Sequence, residues 1–360
     1  MSTSSADPRV VIKIGTSSLV DGGEPAGVRA DGLVDTVVRL HAEGLRPVLV
    51  TSGAIALGRA AMAGRVPARD AERQVAAAMG QTLLAEALRS RLADRGLLSA
   101  QFLLTPLDLC RPPHSDSVTR ALEETLDAGL VPVVNENDAV MVRNNDVLAA
   151  LLGGALNARL LLILTDVPGV YDADPRIRPQ ARRIPVLAAM STEVERLAAE
   201  AAAGPGSGGM TAKLCAAWIA TRAGVTTVIA SADEPDVALR AVRGEDVGTR
   251  IHAQPRPGRP DLHRLWRAFS QPPRGLLLCD RSAESSVVSG EPLTLRQIRD
   301  VRGEPASGTV VDVVTERSGV IARGRTRVPV PLLRPGVAGD RAADETVLDQ
   351  HSYVSLMEVH

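Results

Sequence analysis

Six short apolar runs, separated by stretches with helical periodicity, occupy the chain from Arg9 to Ser231. The runs have the length and the β-branched content of buried strands; they are RVVIKIG, RPVLVTS, LLSAQFLLT, LVPVVNEND, LLLILTD and TTVIASA. Between them, residues 70–96 and 145–158 repeat apolar side chains with the 3.6-residue period of amphipathic helices. Strands that alternate with helices form a mostly parallel sheet with helices on both faces. The sequence therefore predicts an α/β fold.

The character of the sequence changes after Ile251. Residues 252–262 are rich in proline and arginine, which predicts an exposed linker between an α/β domain over 9–251 and a second domain. Residues 263–350 carry the short β-like runs GLLLCD, SSVVSG, GTVVDVVTE and GVIARG, divided by glycine and charged turns. This pattern predicts a small β-rich domain.

Charge and composition exclude several classes of protein. Lys+Arg number 41 against Asp+Glu 42, so the net charge of -1 provides no field to attract nucleic acid or anionic lipid. Residues 251–360 hold 15 arginines against 13 acidic residues with few aromatics, which disfavours RNA binding. No apolar run resembles a signal core or spans a bilayer, and the three cysteines form no disulfide or metal pattern. We expect a cytoplasmic protein that has no membrane partner.

Lysine is nearly absent from the chain. Lys13 and Lys213 are the only lysines, and every other residue in the Lys+Arg total is arginine. An ammonium group is a compact, rotatable charge, whereas a guanidinium is a broad planar fork. The two lysines therefore mark positions where arginine would not serve.

Both lysines lie beside glycine-rich turns. GPGSGGMTAK, residues 204–213, lacks the spacing of a Walker loop but leads into a helix predicted from Met210, whose free N–H groups favour phosphate, with Lys213 on its first turn. The alternative is a plain loop with an incidental lysine. Lys13 lies inside an apolar strand, where a lysine is costly unless it is paired, and Gly15 lets the backbone approach a ligand. These features predict two anion sites.

Other polar residues follow directly on predicted strands. Ser52 and Gly53 join a strand to a helix, and Ser52 suits either an N-cap or a substrate contact. NEND, residues 135–138, contains two carboxylates that suit an ammonium group. Because ligands bind at the carboxyl ends of parallel strands, these residues predict a substrate site.

Two further motifs complete the set. RNND, residues 143–146, opens a helix, and Asp146 suits either a helix cap or a carboxylate that aligns the two lysines. Thr165 and Asp166 end the most apolar strand and precede the polar loop PGVYDADPR, which suits nucleotide recognition.

In this order, VVIKIGTSS, VTSGAIALG, VPVVNENDAV, NDVLAALLGGAL, LTDVPGVYDADPR and GSGGMTAK resemble the amino-acid kinase family over residues 9–251. Within that family they resemble members that phosphorylate the side-chain carboxylate of L-glutamate with ATP and Mg²⁺, the first step of proline biosynthesis. The resemblance implies a homo-oligomer, dimer or tetramer, and transfer of the labile acyl phosphate to glutamyl-phosphate reductase. It also implies that residues 263–350 form a PUA-like domain.

The resemblance assigns roles to residues. Catalysis falls to Lys13, Asp146 and Lys213, with the lysines stabilising the transferring phosphoryl group and the aspartate organising them. The residues implied for L-glutamate are Ser52, Gly53, Asp138 and Asn145. The residues implied for ATP are Lys13, Gly15, Thr165, Asp166, Ser207, Gly208, Gly209, Met210, Thr211 and Lys213. No protein ligand for a metal is predicted, because Mg²⁺ would bridge the phosphates.

Two alternatives remain open. One is another carboxylate or carbamate kinase of the family, for example one that acts on N-acetylglutamate; NENDAV and the added C-terminal domain argue against it. The other is a catalytically inactive regulatory or RNA-binding relative. Retention of Lys13, Asp146 and Lys213 in an arginine-rich chain argues against that.

Overall fold

The computed structural model describes residues 8–25, 27–62, 72–140, 144–173, 175, 178–201, 208–254, 258, 260–303, 306–327 and 344–357. The chain divides into two compact units, Met1–Pro260 and Asp261–His360. The division falls inside the stretch 252–262 for which the sequence predicts a linker.

The first unit alternates strands and helices. Its strands are β1 (Arg9–Ile14), β2 (Val20–Asp21), β3 (Glu24–Pro25), β4 (Arg46–Val50), β5 (Ser99–Leu104), β6 (Val131–Glu136), β7 (Leu160–Thr165), β8 (Val186–Leu187), β9 (Thr226–Ser231) and β10 (Thr249–Ile251). Its helices are α1 (Thr16–Leu19), α2 (Gly27–Ala42), α3 (Ala54–Met62), α4 (Glu72–Ala93), α5 (Pro106–Cys110), α6 (His114–Asp127), α7 (Asn145–Ala155), α8 (Thr192–Ala201), α9 (Gly208–Arg222) and α10 (Val237–Arg243).

Eight of these strands form one sheet in the order β5-β6-β4-β1-β7-β9-β10-β8. The first six run parallel, whereas β10 is antiparallel to β9. The predicted mostly parallel sheet is confirmed, and all six apolar runs form its parallel strands. The sequence did not indicate β8 and β10, because two or three residues are too few to show a strand period.

The sheet is buried on both faces. Every residue of β6 and β7 is buried, as expected for a parallel sheet between helices. On one side α7 packs against α9, β1 and β7, and it is buried from Asp146 to Gly154. An aspartate at the start of so apolar a helix needs a charged partner.

Helices α3 and α4 touch through their backbones. A Cβ atom placed on Gly58 would lie 1.9 Å from the carbonyl oxygen of Ala76, and one on Gly80 would lie 1.8 Å from that of Ala54. Only glycine fits at either position. This backbone contact holds the first half of α3 against the first half of α4.

The second unit is built on a five-stranded sheet in the order β13-β11-β14-β15-β17. Its elements are α11 (Leu262–Phe269), β11 (Gly275–Cys279), α12 (Ser282–Ser289), β12 (Leu293–Thr294), a 3-10 helix (Leu295–Gln297), β13 (Ile298–Gly303), β14 (Val310–Thr315), β15 (Gly319–Arg325), β16 (Thr346–Leu348) and β17 (Tyr353–Ser355). The separate β-rich domain is thus present.

One local prediction in this unit is wrong. SSVVSG was predicted as a β run, yet it lies on α12 and the glycine after it. Ala283 and Val287, one helical turn apart, enter the core, whereas Val288 is exposed. Gly290 ends the helix in the left-handed conformation at φ 71°. The paired valines suggested a strand because β-branched residues favour one.

A buried ion pair joins the adjacent strands β14 and β15 of the second unit. The Arg323 guanidinium donates from Nε to Asp312 Oδ1 at 2.6 Å and from an Nη atom to Oδ2 at 3.1 Å. The arginine is 1% exposed and stacks over the Phe269 ring at 5.7 Å. Among the described residues of both units, no helix is long and apolar enough to cross a membrane.

Candidate active site

The predicted catalytic residues gather at the carboxyl edge of the large sheet. Lys13 is the fifth residue of β1, where it pairs with Val50 of β4 and Ile163 of β7. Because β1, β4, β6 and β7 are parallel, their carboxyl ends meet at one edge. Lys13 therefore lies at the centre of that edge.

Asp146 is the partner of Lys13. Its Oδ1 atom lies 2.7 Å from Lys13 Nζ, and the two residues are 5% and 7% exposed. The helix cap is Asn144, whose side chain accepts from the Asp146 N–H at 2.9 Å, so the interpretation of Asp146 as a cap is wrong. The approach of Nζ lies off the hydrogen-bond direction of Oδ1. Charge therefore holds the lysine, and its head remains able to turn toward a ligand.

Lys213 completes the charged cluster. Helix α9 begins at Gly208 and not at Met210, which places Lys213 on the second turn and corrects the predicted first-turn position. Its side chain runs back toward the helix start, where Nζ donates to the Gly209 carbonyl at 3.0 Å. The ammonium group therefore still reaches the N-terminal end of α9.

Lys213 lies within the electrostatic reach of the other site residues. Burial lowers the pKa of Lys213, since it is only 9% exposed. Asp146 raises this pKa, Lys13 lowers it, and Asp166 raises it. Both lysines thus share the field of one buried carboxylate.

Thr165 and Asp166 stand at the end of β7. Thr165 is 6% exposed and donates from Oγ1 to Asp166 Oδ1 at 2.9 Å, while Asp166 itself is exposed. The Thr165 carbonyl accepts from the Ala232 N–H at 2.7 Å, which ties the end of β7 to the loop after β9. The Asp166 carboxylate is therefore held at the same edge as Lys213.

The glycine positions differ in what they require. The Gly53 carbonyl accepts from the Leu57 N–H, so Gly53 stands at the N-cap of α3, and the interpretation of Ser52 as the N-cap is wrong. Gly53 has φ 113°, and a Cβ there would lie 2.6 Å from Val20. Gly15 has an ordinary φ of -76°, and a Cβ would meet only the Leu164 carbonyl at 4.0 Å. The backbone conformation at position 53 and the contact with Val20 require glycine there. At position 15 the conformation is ordinary, and the missing side chain leaves open space.

Part of the predicted nucleotide loop can be placed. Gly208, Gly209, Met210 and Thr211 form the first turn of α9, with Gly209 exposed and the next two residues half-buried. Ser207 lies outside the described residues. The described turn presents the helix N-terminus that an anion prefers.

One of the residues predicted to bind substrate, Asp138, lines a cavity of about 590 Å³ between α4, β5 and the end of β6. Asp138, Asn137 and Glu136 line it, as does Ala54, the residue after Ser52 and Gly53. Asn145, the first residue of α7, accepts at Oδ1 from the Glu136 N–H at 3.0 Å. The structure therefore brings Asn145 to the strand end that carries NEND.

Gln81 of α4 is a polar wall residue of this cavity that the sequence reasoning missed. It is 7% exposed, and its Oε1 accepts from Asn135 Nδ2 at 2.7 Å. The available signal was a glutamine on the same helical face as Ala77 and Leu84, both buried in the core.

Two buried ammonium groups, a buried carboxylate that acts on both and a helix N-terminus define an enzyme that transfers phosphoryl groups, since positioning and charge supply most of that catalysis. Solved structures agree on the fold. The chain resembles UMP kinase from Bacillus anthracis (TM-score 0.52, 19% identity, 69% of this chain and 98% of that one). It also resembles carbamate kinase from Giardia lamblia bound to AMP-PNP (TM-score 0.50, 19% identity, 69% and 99%).

Sequence comparison identifies the family. Residues 8–231 match the model of the amino acid kinase family. The chain is 38% identical to a glutamate 5-kinase of Picosynechococcus sp., over 88% of this chain and 86% of the relative. It is 34% identical to one of Proteus mirabilis, over 98% and 97%. The chain belongs to the amino acid kinase family and is a kinase.

Proposed function

We propose that the chain transfers the γ-phosphoryl group of ATP to the side-chain carboxylate of L-glutamate. The observation that carries this proposal is the buried cluster of Lys13, Asp146 and Lys213 at the carboxyl edge of the sheet. The glutamate 5-kinases to which the chain is similar support the choice of substrate.

The chemistry asks the protein for charge and not for a general base. A glutamate side chain, with a pKa of about 4.3, is already ionised at neutral pH. One of its oxygens attacks the γ-phosphorus, a new P–O bond forms, and the bond to the β-phosphate oxygen breaks, which releases ADP. Lys13 and Lys213 stabilise the negative charge of the phosphoryl group in transit, and Asp146 keeps the two ammonium groups apart.

The nucleotide would lie along β7 and α9. The N–H groups of the first turn of α9 suit its phosphates, and Thr165 with Asp166 borders the same edge. Among the described residues, no group of three or more His, Cys, Asp or Glu side chains could hold a metal ion. Mg²⁺ bound together with the nucleotide would supply further charge neutralisation.

The amino acid would lie between the cavity and the lysine cluster. The Asp138 carboxylate suits its ammonium group. Asn145 Oδ1 accepts from the Glu136 N–H, and its Nδ2 group can donate to a carboxylate oxygen of the substrate. Ser52 and Gly53, at the start of α3, complete the proposed substrate site.

A homo-oligomer, dimer or tetramer, is part of the proposal. Val75, Met79 and Leu83 of α4 expose 44%, 42% and 43% of their surface and recur every fourth residue. Such an apolar stripe suits contact with a second copy. We further propose that the second unit is a PUA-like module that does not bind RNA, that the enzyme works in the cytoplasm, and that its labile product passes to glutamyl-phosphate reductase.

Hydroxylamine trapping tests the activity, because an acyl phosphate yields a hydroxamate. L-Glutamate, N-acetyl-L-glutamate and L-aspartate are supplied in parallel with ATP and Mg²⁺. We expect hydroxamate from L-glutamate alone, none from a Lys213→Met variant, and normal amounts from Arg243→Gln, an exposed residue of α10. Hydroxamate from N-acetyl-L-glutamate instead would support the other kinase activity, and none from any substrate would refute catalysis.

A further inference from the structure

We propose that Gln81 is a positioning residue that fixes the substrate side of the site through Asn135. This inference rests on the proposed function for its substrate, but its geometry does not depend on that function. Among the described residues, no hydrogen bond or ion pair joins Gln81 to Lys13, Asp146 or Lys213. Its influence runs through a chain of hydrogen bonds from α4 to α7.

The chain begins in the core. Gln81 Oε1 accepts from Asn135 Nδ2 at 2.7 Å, and Asn135 is 1% exposed. An amide nitrogen cannot accept from the Glu136 N–H, so Asn135 presents Oδ1 to that N–H and Nδ2 to Gln81, whose Oε1 holds it there. Asn135 Oδ1 is then turned toward the Glu136 N–H, from which it accepts at 2.9 Å.

The same N–H joins the chain to the substrate residue. The Glu136 N–H also donates to Asn145 Oδ1 at 3.0 Å, so it is shared between two side-chain oxygens. This bond spans the segment 137–144, which carries Asp138, and draws the start of α7 to the end of β6. The oxygen of Asn145 is thereby occupied, and the amide presents a donor to the substrate.

Helix α4 holds the same segment at a second point. Gln74 Nε2 donates to the Ala139 carbonyl at 3.1 Å. Gln74 and Gln81 are seven residues apart, which places them on one face of the helix about two turns apart. α4 therefore supports both the strand end and the turn that follows Asp138.

Replacing Gln81 should loosen this arrangement. Gln81→Met keeps the length of the side chain but leaves Asn135 Nδ2 without its acceptor, so the carboxamide is free to turn. We expect the KM for L-glutamate to rise about tenfold, the scale of one buried hydrogen bond. The KM for ATP should stay within about twofold, because the nucleotide residues lie on other elements.

Hydrogen exchange gives a readout that needs no substrate. The Glu136 amide should exchange about fivefold faster in Gln81→Met, since one of its two acceptors becomes mobile. Gln81→Glu retains an acceptor for Asn135 and should restore the protection of this amide. Gln81→Asn, which shortens the side chain, is a milder variant that should act in the direction of Gln81→Met.

Gln297→Met is the matched control. Gln297 is a 9% exposed glutamine of the second unit that accepts from the Thr294 N–H and donates to Ser286. Loss of these two hydrogen bonds should lower the free energy of unfolding of the second unit. It should leave the KM for L-glutamate and the exchange rate of the Glu136 amide unchanged.

The outcomes separate the two proposals. Faster exchange at Glu136 with no hydroxamate from the wild-type protein would uphold the positioning role and refute the proposed substrate. Unchanged exchange in Gln81→Met and Gln81→Asn, or exchange in Gln81→Glu as fast as in Gln81→Met, would overturn the role of Gln81. An equal rise of both KM values would do the same.

Discussion

Asp146→Asn tests the charge cluster most directly, because it removes one charge and keeps the shape of the side chain. At an effective dielectric constant of 20, opposite charges 2.7 Å apart attract by about 6 kcal/mol. Desolvation of the pair offsets part of this, and loss of one partner from a buried pair typically costs about 3–5 kcal/mol. Asn144 still caps α7 in the variant, so the helix itself is spared.

Urea unfolding of the first unit measures the change. We expect a loss of about 3–5 kcal/mol in the free energy of unfolding, because Lys13 loses its buried counter-charge and Lys213 loses the stronger of its two carboxylate attractions. Mg-ATP should recover part of the loss, because its phosphates neutralise the same ammonium groups. The control is Asp127→Asn, which breaks an exposed pair with Arg46 and should cost at most about 1 kcal/mol. A loss below about 1 kcal/mol in Asp146→Asn would refute the reasoning.

Lys213→Arg should lower kcat by at least about 100-fold while ATP binding, followed by calorimetry, persists; near wild-type turnover would contradict the need for an ammonium group. Burial lowers the folded-state pKa of Lys213 below 10.5, so the unfolded chain binds more protons between the two values. The free energy of unfolding should therefore rise with pH across that window, and Lys213→Met should abolish the rise. Gly53→Ala should cost about 1–3 kcal/mol and reduce activity, because φ 113° and the contact with Val20 exclude a methyl group; a fully stable, active variant would disprove this. Asp312→Ala should destabilise the second unit by about 3–5 kcal/mol through loss of its two buried hydrogen bonds with Arg323, with melting followed by calorimetry; an unchanged melting temperature would count against the pair.

The sequence predicted the sheet because each of its parallel strands is a run of apolar, β-branched residues. Lys13 and Lys213 could be singled out because arginine replaces lysine elsewhere, and the structure places both near Asp146. Each of these features is local in sequence or follows from the rule that parallel strands end at one edge.

The missed features depend on contacts between distant segments. Gln81 and Asn135 are 54 residues apart, and no spacing rule joins them. The N-cap positions of α3 and α7 are occupied by Gly53 and Asn144, not by the neighbouring Ser52 and Asp146. The sequence could not fix these helix starts to within one or two residues, because packing sets the backbone direction there. α12 was missed because its burial pattern spans only Ala283 and Val287.

The backbone contact between α3 and α4 restricts how this chain can be engineered. Inside an isolated helix, alanine in place of glycine would stabilise by about 1 kcal/mol, so a design based on helix propensity would replace Gly58 and Gly80. Here a methyl group would lie within 2 Å of a carbonyl oxygen of the facing helix. The substitutions that most improve each helix alone would therefore separate the pair, and stabilised variants of this chain must leave both glycines untouched.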